Sequence, residues 1–263
     1  MQPDDIDPPG QNIPPGVSDT VGYDVFMVIG QSNTHSGLGL DITLDAPDSL
    51  IFQLGRFQDH NYKIIPAIEP LDHPTFSSQK IGFALTFAKL YKNDKLVKGR
   101  KILIIPCGQG DTGFRKQRWN KGDDLYEDAL TRAKFILKYH PNSKMVAMLW
   151  HQGEADLNYS GYQSALDAMV INFRKDINHS LSGITPFILG GMVPYWVDKD
   201  NARITLNNII KNTPSRISRC GFADPRIPFL IVKPNNEVDA IHFDAAGQRE
   251  MGKRYYNAFA NLK

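Results

Sequence analysis

Two widely separated points of this 263-residue chain hold the residue types that perform acyl transfer: Ser32, in "DVFMVIGQSNTHSG", and Asp239 with His242, in "NNEVDAIHFDAAG". A serine hydroxyl is a poor nucleophile until a base within hydrogen-bond reach takes its proton, and neutral imidazole is the usual base near pH 7. His242 is the candidate base. Asp239 stands three residues earlier on the same short loop, close enough to bend back and hold the ring in one tautomer. Each residue also has an ordinary reading: Ser32 as the N-cap of a following helix, and His242 as a surface histidine beside an acid.

A tetrahedral intermediate also needs donors aimed at its oxyanion, and losing one typically costs about 2.7–4 kcal/mol of barrier stabilisation. The candidates are the backbone N–H of Ser32, the backbone N–H of Gly110 in "IPCGQGDTGF", and the side-chain amide of Gln152 in "LWHQGEAD". Gly108 and Gly110 suit an ordinary turn as well, and Gln152 suits a loop residue bonded to backbone.

Elements that deliver these residues to one place are legible in the apolar patterning. Val25–Ile29 is an unbroken apolar run, which predicts a strand buried on both faces, with Gly30 marking a sharp turn and Ser32 just past the strand's carboxyl end. The runs "KILIIPCGQG" and "KMVAMLWHQGEADLN" predict two more such strands, each ending in a polar turn. "SLIFQLG" predicts a short strand within a loop-rich region over 36–75, "TPFILGGMVPYW" a fourth buried strand, and "PFLIVKP" a fifth. Helical spacing is read over "IGFALTFAKLYKND", "DDLYEDALTRAKFILKYH", "GYQSALDAMVINFRKDINHSL", "ITLNNIIKNT" and "FDAAGQREMGKRYYNAFANLK", the last capped near Asp244. Strand alternating with helix predicts a three-layer α/β/α sandwich with a mostly parallel central sheet. In such sheets ligands gather at the carboxyl ends of the strands, so Ser32, Gly110, Gln152 and the Asp239–His242 loop are expected at one edge.

Composition narrows the function. At 41% hydrophobic residues the chain can bury one sizeable core, so we expect an extended, proline-rich arm over 1–22 followed by a single domain over 23–263. A net charge of +2 without a basic cluster argues against a nucleic-acid surface. Two cysteines, Cys107 and Cys220, make no disulfide framework, and no C-x-x-C or H-E-x-x-H spacing suggests a metal. No apolar run approaches the ~18 residues of a membrane span. The first twenty residues hold five prolines and no apolar h-region, so they do not read as a signal peptide; cytoplasm, or export after loss of a leader, both fit.

"IGQSN", "IPCGQGDTGF…RW", "LWHQGEAD" and "VDAIHFDAAGQREMGKRY" resemble, in order and spacing, the motifs of the SGNH hydrolase superfamily, whose fold is flavodoxin-like. The branch they are most similar to is the sialate O-acetylesterase-like group that includes carbohydrate esterase family 6 acetylxylan esterases. The resemblance implies Ser32 as nucleophile, His242 and Asp239 as its base and orienter, and Ser32, Gly110 and Gln152 as the oxyanion hole. Gln31 and Glu154 fall inside the motifs as supporting residues, Glu154 to orient Gln152 or the loop. The branch usually reads Gly-Gly-Thr where this chain reads Gly110-Asp111-Thr112, which sets a carboxylate beside the oxyanion site.

The expected activity is a carbohydrate esterase that removes O-acetyl groups from sugars of the sialic acid or xylan type through an acetyl-serine. It would need no metal or cofactor and no nucleic-acid or membrane partner. A broad short-chain carboxylesterase and a non-catalytic carbohydrate-binding relative are the alternatives, the latter encouraged only by Asp111. Trp119, Tyr195 and Trp196 are read either as core or as sugar-stacking platforms.

Overall fold

The apolar run Val25–Ile29 lies in the central strand of a seven-stranded sheet, every residue of it buried, in the computed structural model of the protein. Residues 22–75, 78–177 and 184–262 are described; the predicted arm, apart from Gly22, and the end of the predicted helix over 161–181 lie outside them. In chain order the first elements are β1 (Tyr23–Gly30), β2 (Gly37–Leu38), β3 (Ile51–Leu54), β4 (Ile64–Pro66), β5 (Lys80–Ile81), α1 (Ala84–Asp94) and β6 (Lys101–Pro106). There follow α2 (Asp124–Tyr139), β7 (Lys144–His151), α3 (Tyr162–Asp176), β8 (Phe187–Gly190), α4 (Pro194–Val197), α5 (Asn201–Lys211), α6 (Thr213–Arg216), β9 (Cys220–Ala223) and α7 (Ala245–Ala260).

Strand order across the sheet is β4-β3-β6-β1-β7-β8-β9, parallel throughout except for the antiparallel edge strand β4. From β1 the chain builds one half of the sheet, through β3 and β6, and then crosses to β7 and the other half. The crevice at the carboxyl ends of β1, β6 and β7 is therefore a topological switch point, where open α/β sheets bind ligands.

Helices cover the sheet because each buries an apolar stripe. Phe26 of β1 meets Phe87 and Tyr91 of α1 edge-on, and Phe259 of α7 closes over the same two rings. Tyr126 of α2 stacks on Phe173 of α3 at 4.1 Å. Burying one such side chain is worth about 1.5–3 kcal/mol, so these contacts fix which helices lie together. α2 begins on Asp124 and Glu127, which favour the positive end of the helix dipole, and stops before Pro141. α7 is capped by Asp244, whose side chain accepts from Gly247 N–H at 2.7 Å.

One predicted strand is corrected. The last parallel strand of the sheet is Cys220–Ala223, while "PFLIVKP" (228–234) runs as irregular chain. Arg254 donates to the carbonyl oxygen of Phe229 within this run and to that of Ile227 just before it, groups that a sheet neighbour would otherwise need.

Candidate active site

Gly30 ends β1 with φ +124°, and a Cβ there would sit 2.1 Å from the His151 carbonyl oxygen, so only glycine lets β1 turn this close to β7. Gln31 N–H then donates to that same carbonyl at 2.8 Å, and Ser32–Thr34 form one turn of 3-10 helix. Ser32 opens this turn without capping it: the N-cap residue is Gln31, and no side-chain cap bond is made. Asn33 and Thr34 turn inward and are fully buried, which leaves the half-buried Ser32 at the sheet's edge.

The Ser32 hydroxyl lies 2.9 Å from His242 Nε2, and His242 Nδ1 lies 3.1 and 3.2 Å from the two carboxylate oxygens of Asp239. A carboxylate only accepts, so Nδ1 carries the proton and Nε2 presents its lone pair to the serine O–H. Asp239 also accepts from the backbone N–H groups of Ile241 and His242, which folds the loop around it. Burial lowers the His242 imidazole below the ordinary 6.5; Asp239 opposes this, and Lys80 and Lys233 reinforce it. Partial burial works to raise Asp239, but the facing imidazole and Lys233, 3.8 Å away, bring it below the ordinary carboxylate value. The arrangement holds a neutral base against a hydroxyl and an anion behind the base, the electrostatics that serine activation requires.

Gly110 is brought to the same edge: a Cβ on it would come 3.9 Å from Ser32 Cβ, ordinary contact distance. Its N–H donates at 3.1 Å to the exposed Thr75 hydroxyl, a neighbour the motif reading missed because it lies in the loop-rich region without a pattern. The Ser32 N–H is taken by no acceptor among the described residues. Asp111 adopts φ +55°, a conformation in which glycine is unstrained, and its carboxylate turns outward to Lys116 at 2.6 Å.

Gln152 does not take the place expected of it. Both hydrogens of its amide are used inside the protein, on the Thr112 carbonyl at 3.2 Å and the Asp156 carboxylate at 2.8 Å. Asp156 also accepts from Phe114 N–H and Arg115 N–H, so a buried anion claims the donors around it and Gln152 fastens the Gly110 loop from behind. Asp156 is the fourth residue of "GEAD" and carries no signal in the sequence beyond its motif. Glu154 bonds not to Gln152 but to Asn33, at 2.7 Å, and Gln31 Oε1 accepts from Ala155 N–H. Trp119 is fully buried, bonded to Thr112 and packed on Trp150, and Trp196 lies beneath Arg203; both are core rather than platforms. Tyr195 stays half-buried, its hydroxyl accepting from Lys199. Among the described residues no group of three or more His, Cys, Asp or Glu side chains could hold a metal ion, and no helix is long and apolar enough to cross a membrane.

The chain is similar to several known proteins in sequence and in fold. Over 222 residues the chain is 29% identical to the probable 9-O-acetyl-N-acetylneuraminic acid deacetylase of Escherichia coli K12, covering 66% of this chain and 68% of that protein. The crystal structure of NanS superposes with a TM-score of 0.76 at 23% identity, over 91% of this chain and 97% of that one. A protein from Arabidopsis thaliana superposes with a TM-score of 0.74 at 23% identity, over 92% of this chain and all of that one. At such identities the two structures establish the shared fold. Residues 22–261 match the family described as carbohydrate esterase, sialic acid-specific acetylesterase, and the chain belongs to that family of enzymes, which remove O-acetyl groups from sugars.

Proposed function

We propose that the protein removes O-acetyl groups from sialic acid through an acetyl-serine on Ser32. The observation that carries this reading is the 2.9 Å contact between Ser32 Oγ and His242 Nε2, with Asp239 on the opposite ring nitrogen. Family membership supports an acetylated sugar as substrate, and the name of the E. coli relative directs attention to the 9-O-acetyl ester.

In this mechanism Ser32 Oγ attacks the acetyl carbonyl carbon as His242 Nε2 takes its proton, and Asp239 stabilises the imidazolium. The oxyanion faces the N–H groups of Ser32 and Gly110, the latter exchanging its bond to Thr75 or sharing it. Collapse of the intermediate breaks the carbon–oxygen bond to the sugar, with His242 returning the proton to the leaving hydroxyl. Water, activated by the same imidazole, then releases acetate and restores Ser32. Asp111 gives no support to a binding-only protein, because its carboxylate is directed at Lys116 and away from this chemistry.

The test is hydrolysis of 9-O-acetyl-N-acetylneuraminic acid, acetylated xylan and the p-nitrophenyl esters of acetate, butyrate and octanoate by wild type and Ser32→Ala, with chelator present. Acetate-selective activity, highest on the sialate and lost with Ser32, is expected. Preference for octanoate would move the protein to the broad carboxylesterases, and preference for xylan would replace the sugar.

A further inference from the structure

Asn33 follows the proposed nucleophile in sequence and is fully buried, yet its side chain makes three hydrogen bonds. Nδ2 donates to the Ile241 carbonyl at 2.9 Å, and Oδ1 accepts from Phe243 N–H at 3.1 Å. These two backbone groups stand on either side of His242. The third bond, from Nδ2 to Glu154 Oε1 at 2.7 Å, uses the remaining amide hydrogen. One amide thus joins the turn that carries Ser32 to the backbone that carries the histidine, and Glu154 holds that amide.

Glu154 is itself fixed. It opens the 3-10 turn after β7, whose next two residues are tied down: Ala155 N–H donates to Gln31 Oε1, and the Asp156 carboxylate binds two backbone N–H groups and Gln152. The second carboxyl oxygen of Glu154 is buried without a hydrogen-bond partner among the described residues, and burial pushes the group up to about 7. A carboxyl in that setting gains little from its own burial. What it supplies is an immobile acceptor for the second hydrogen of the Asn33 amide, which would otherwise be buried and unpaired.

We propose that Glu154 is a positioning residue for the reacting pair, acting through Asn33 to hold Ser32 and His242 at bonding distance. The inference rests on Ser32 and His242 being that pair. Misplacement of reacting groups by about 1 Å can cost on the order of a hundredfold in rate. Glu154→Met keeps the volume and removes the acceptor; Glu154→Gln keeps a carbonyl acceptor.

The experiment measures kcat and KM for p-nitrophenyl acetate, with thermal stability alongside, for the whole chain carrying Glu154→Met, Glu154→Gln, Asn33→Ala and the Glu154→Met/Asn33→Ala pair. Glu154→Met should lower kcat by about ten- to a hundredfold while KM changes by less than about twofold. Glu154→Gln should stay within a few-fold of wild type, and adding Glu154→Met to Asn33→Ala should lower kcat no further. A folded Glu154→Met with wild-type kcat, or additive losses in the pair, would overturn the role. So would a folded Glu154→Gln as impaired as a full loss, and this decides the matter even if Glu154→Met fails to fold. Ser32→Ala in the same assay separates the premise: residual full activity there would indict the reacting pair, whereas an inactive Ser32→Ala beside an unaffected Glu154→Met indicts Glu154 alone.

Discussion

Asn33 Nδ2 donates to the carbonyl of Ile241 at 2.9 Å across 208 residues of chain, so the residue after the proposed nucleophile is bonded to the residue before the proposed base. The two halves of the site therefore do not depend on the Ser32–His242 contact alone for their alignment. The sheet brings them to one edge, and this buried amide sets the distance.

Residues that act as one unit lose their effect together. Ser32→Ala should lower kcat by several orders of magnitude, His242→Ala by nearly as much, and the double variant by little more than either. Steady-state kinetics on p-nitrophenyl acetate check this; a double loss equal to the sum of the two in free energy would mean that they work separately.

The base must be neutral to accept a proton, and burial places the His242 pKa below 6.5 despite Asp239. Activity is therefore present above that pKa and lost as pH falls through it. The pH profile of kcat/KM should be level at neutral pH, with its acid bend below 6.5, and Asp239→Asn should move the bend further toward acid while lowering the plateau. A wild-type bend above neutrality would contradict the electrostatics described for the ring.

Two glycines of the site differ in what a methyl group would meet. At Gly82 a Cβ would lie 2.0 Å from the Thr34 carbonyl oxygen, backbone against backbone, so Gly82→Ala must push the Ser32 turn aside. It should cost about 1–3 kcal/mol and reduce kcat. At Gly110 the nearest atoms are 3.8 Å away, so Gly110→Ala should keep the wild-type melting temperature while its methyl, beside Ser32, impairs turnover. Thermal melts with kinetics separate the two cases.

Asp111→Gly should leave turnover within a few-fold of wild type, because the carboxylate already faces Lys116. The loss of an exposed ion pair, worth about 0–1 kcal/mol, is offset by relief of a left-handed backbone worth about 1–2 kcal/mol. Melting temperature should hold or rise. A large gain in kcat would show that the carboxylate does burden the oxyanion site.

What could be read in the sequence followed from how strongly burial marks a segment. β1, β6 and β7 are long apolar runs that only a two-faced core position explains, and the turns that end them carried Ser32 and Gly110 to their observed edge. β9 escaped because four residues with a central glycine, Cys220–Ala223, leave almost no pattern. The stronger run beside it, 228–234, keeps Phe229, Leu230 and Val232 exposed, and its Phe229 carbonyl is taken by Arg254. Gln152 follows directly on the end of β7, but the direction of an amide is set by the groups near it, and nothing in the spacing announces the Asp156 carboxylate that claims it. Of the two readings open for Trp119, core and platform, the core one holds, with its indole N–H committed to Thr112. The Asn33 bridge was illegible for a different reason: it joins segments that only the fold makes neighbours.

Covalent catalysis at Ser32 is tested most directly by mass spectrometry of the peptide that contains it, after rapid acid quenching of the enzyme with p-nitrophenyl acetate. An acetyl group on the Ser32 peptide of wild type, formed and lost at rates consistent with turnover and missing from Ser32→Ala, is the predicted result. Acetate release by Ser32→Ala at the wild-type rate, or an acetyl group carried on another residue at the rate of turnover, would contradict it.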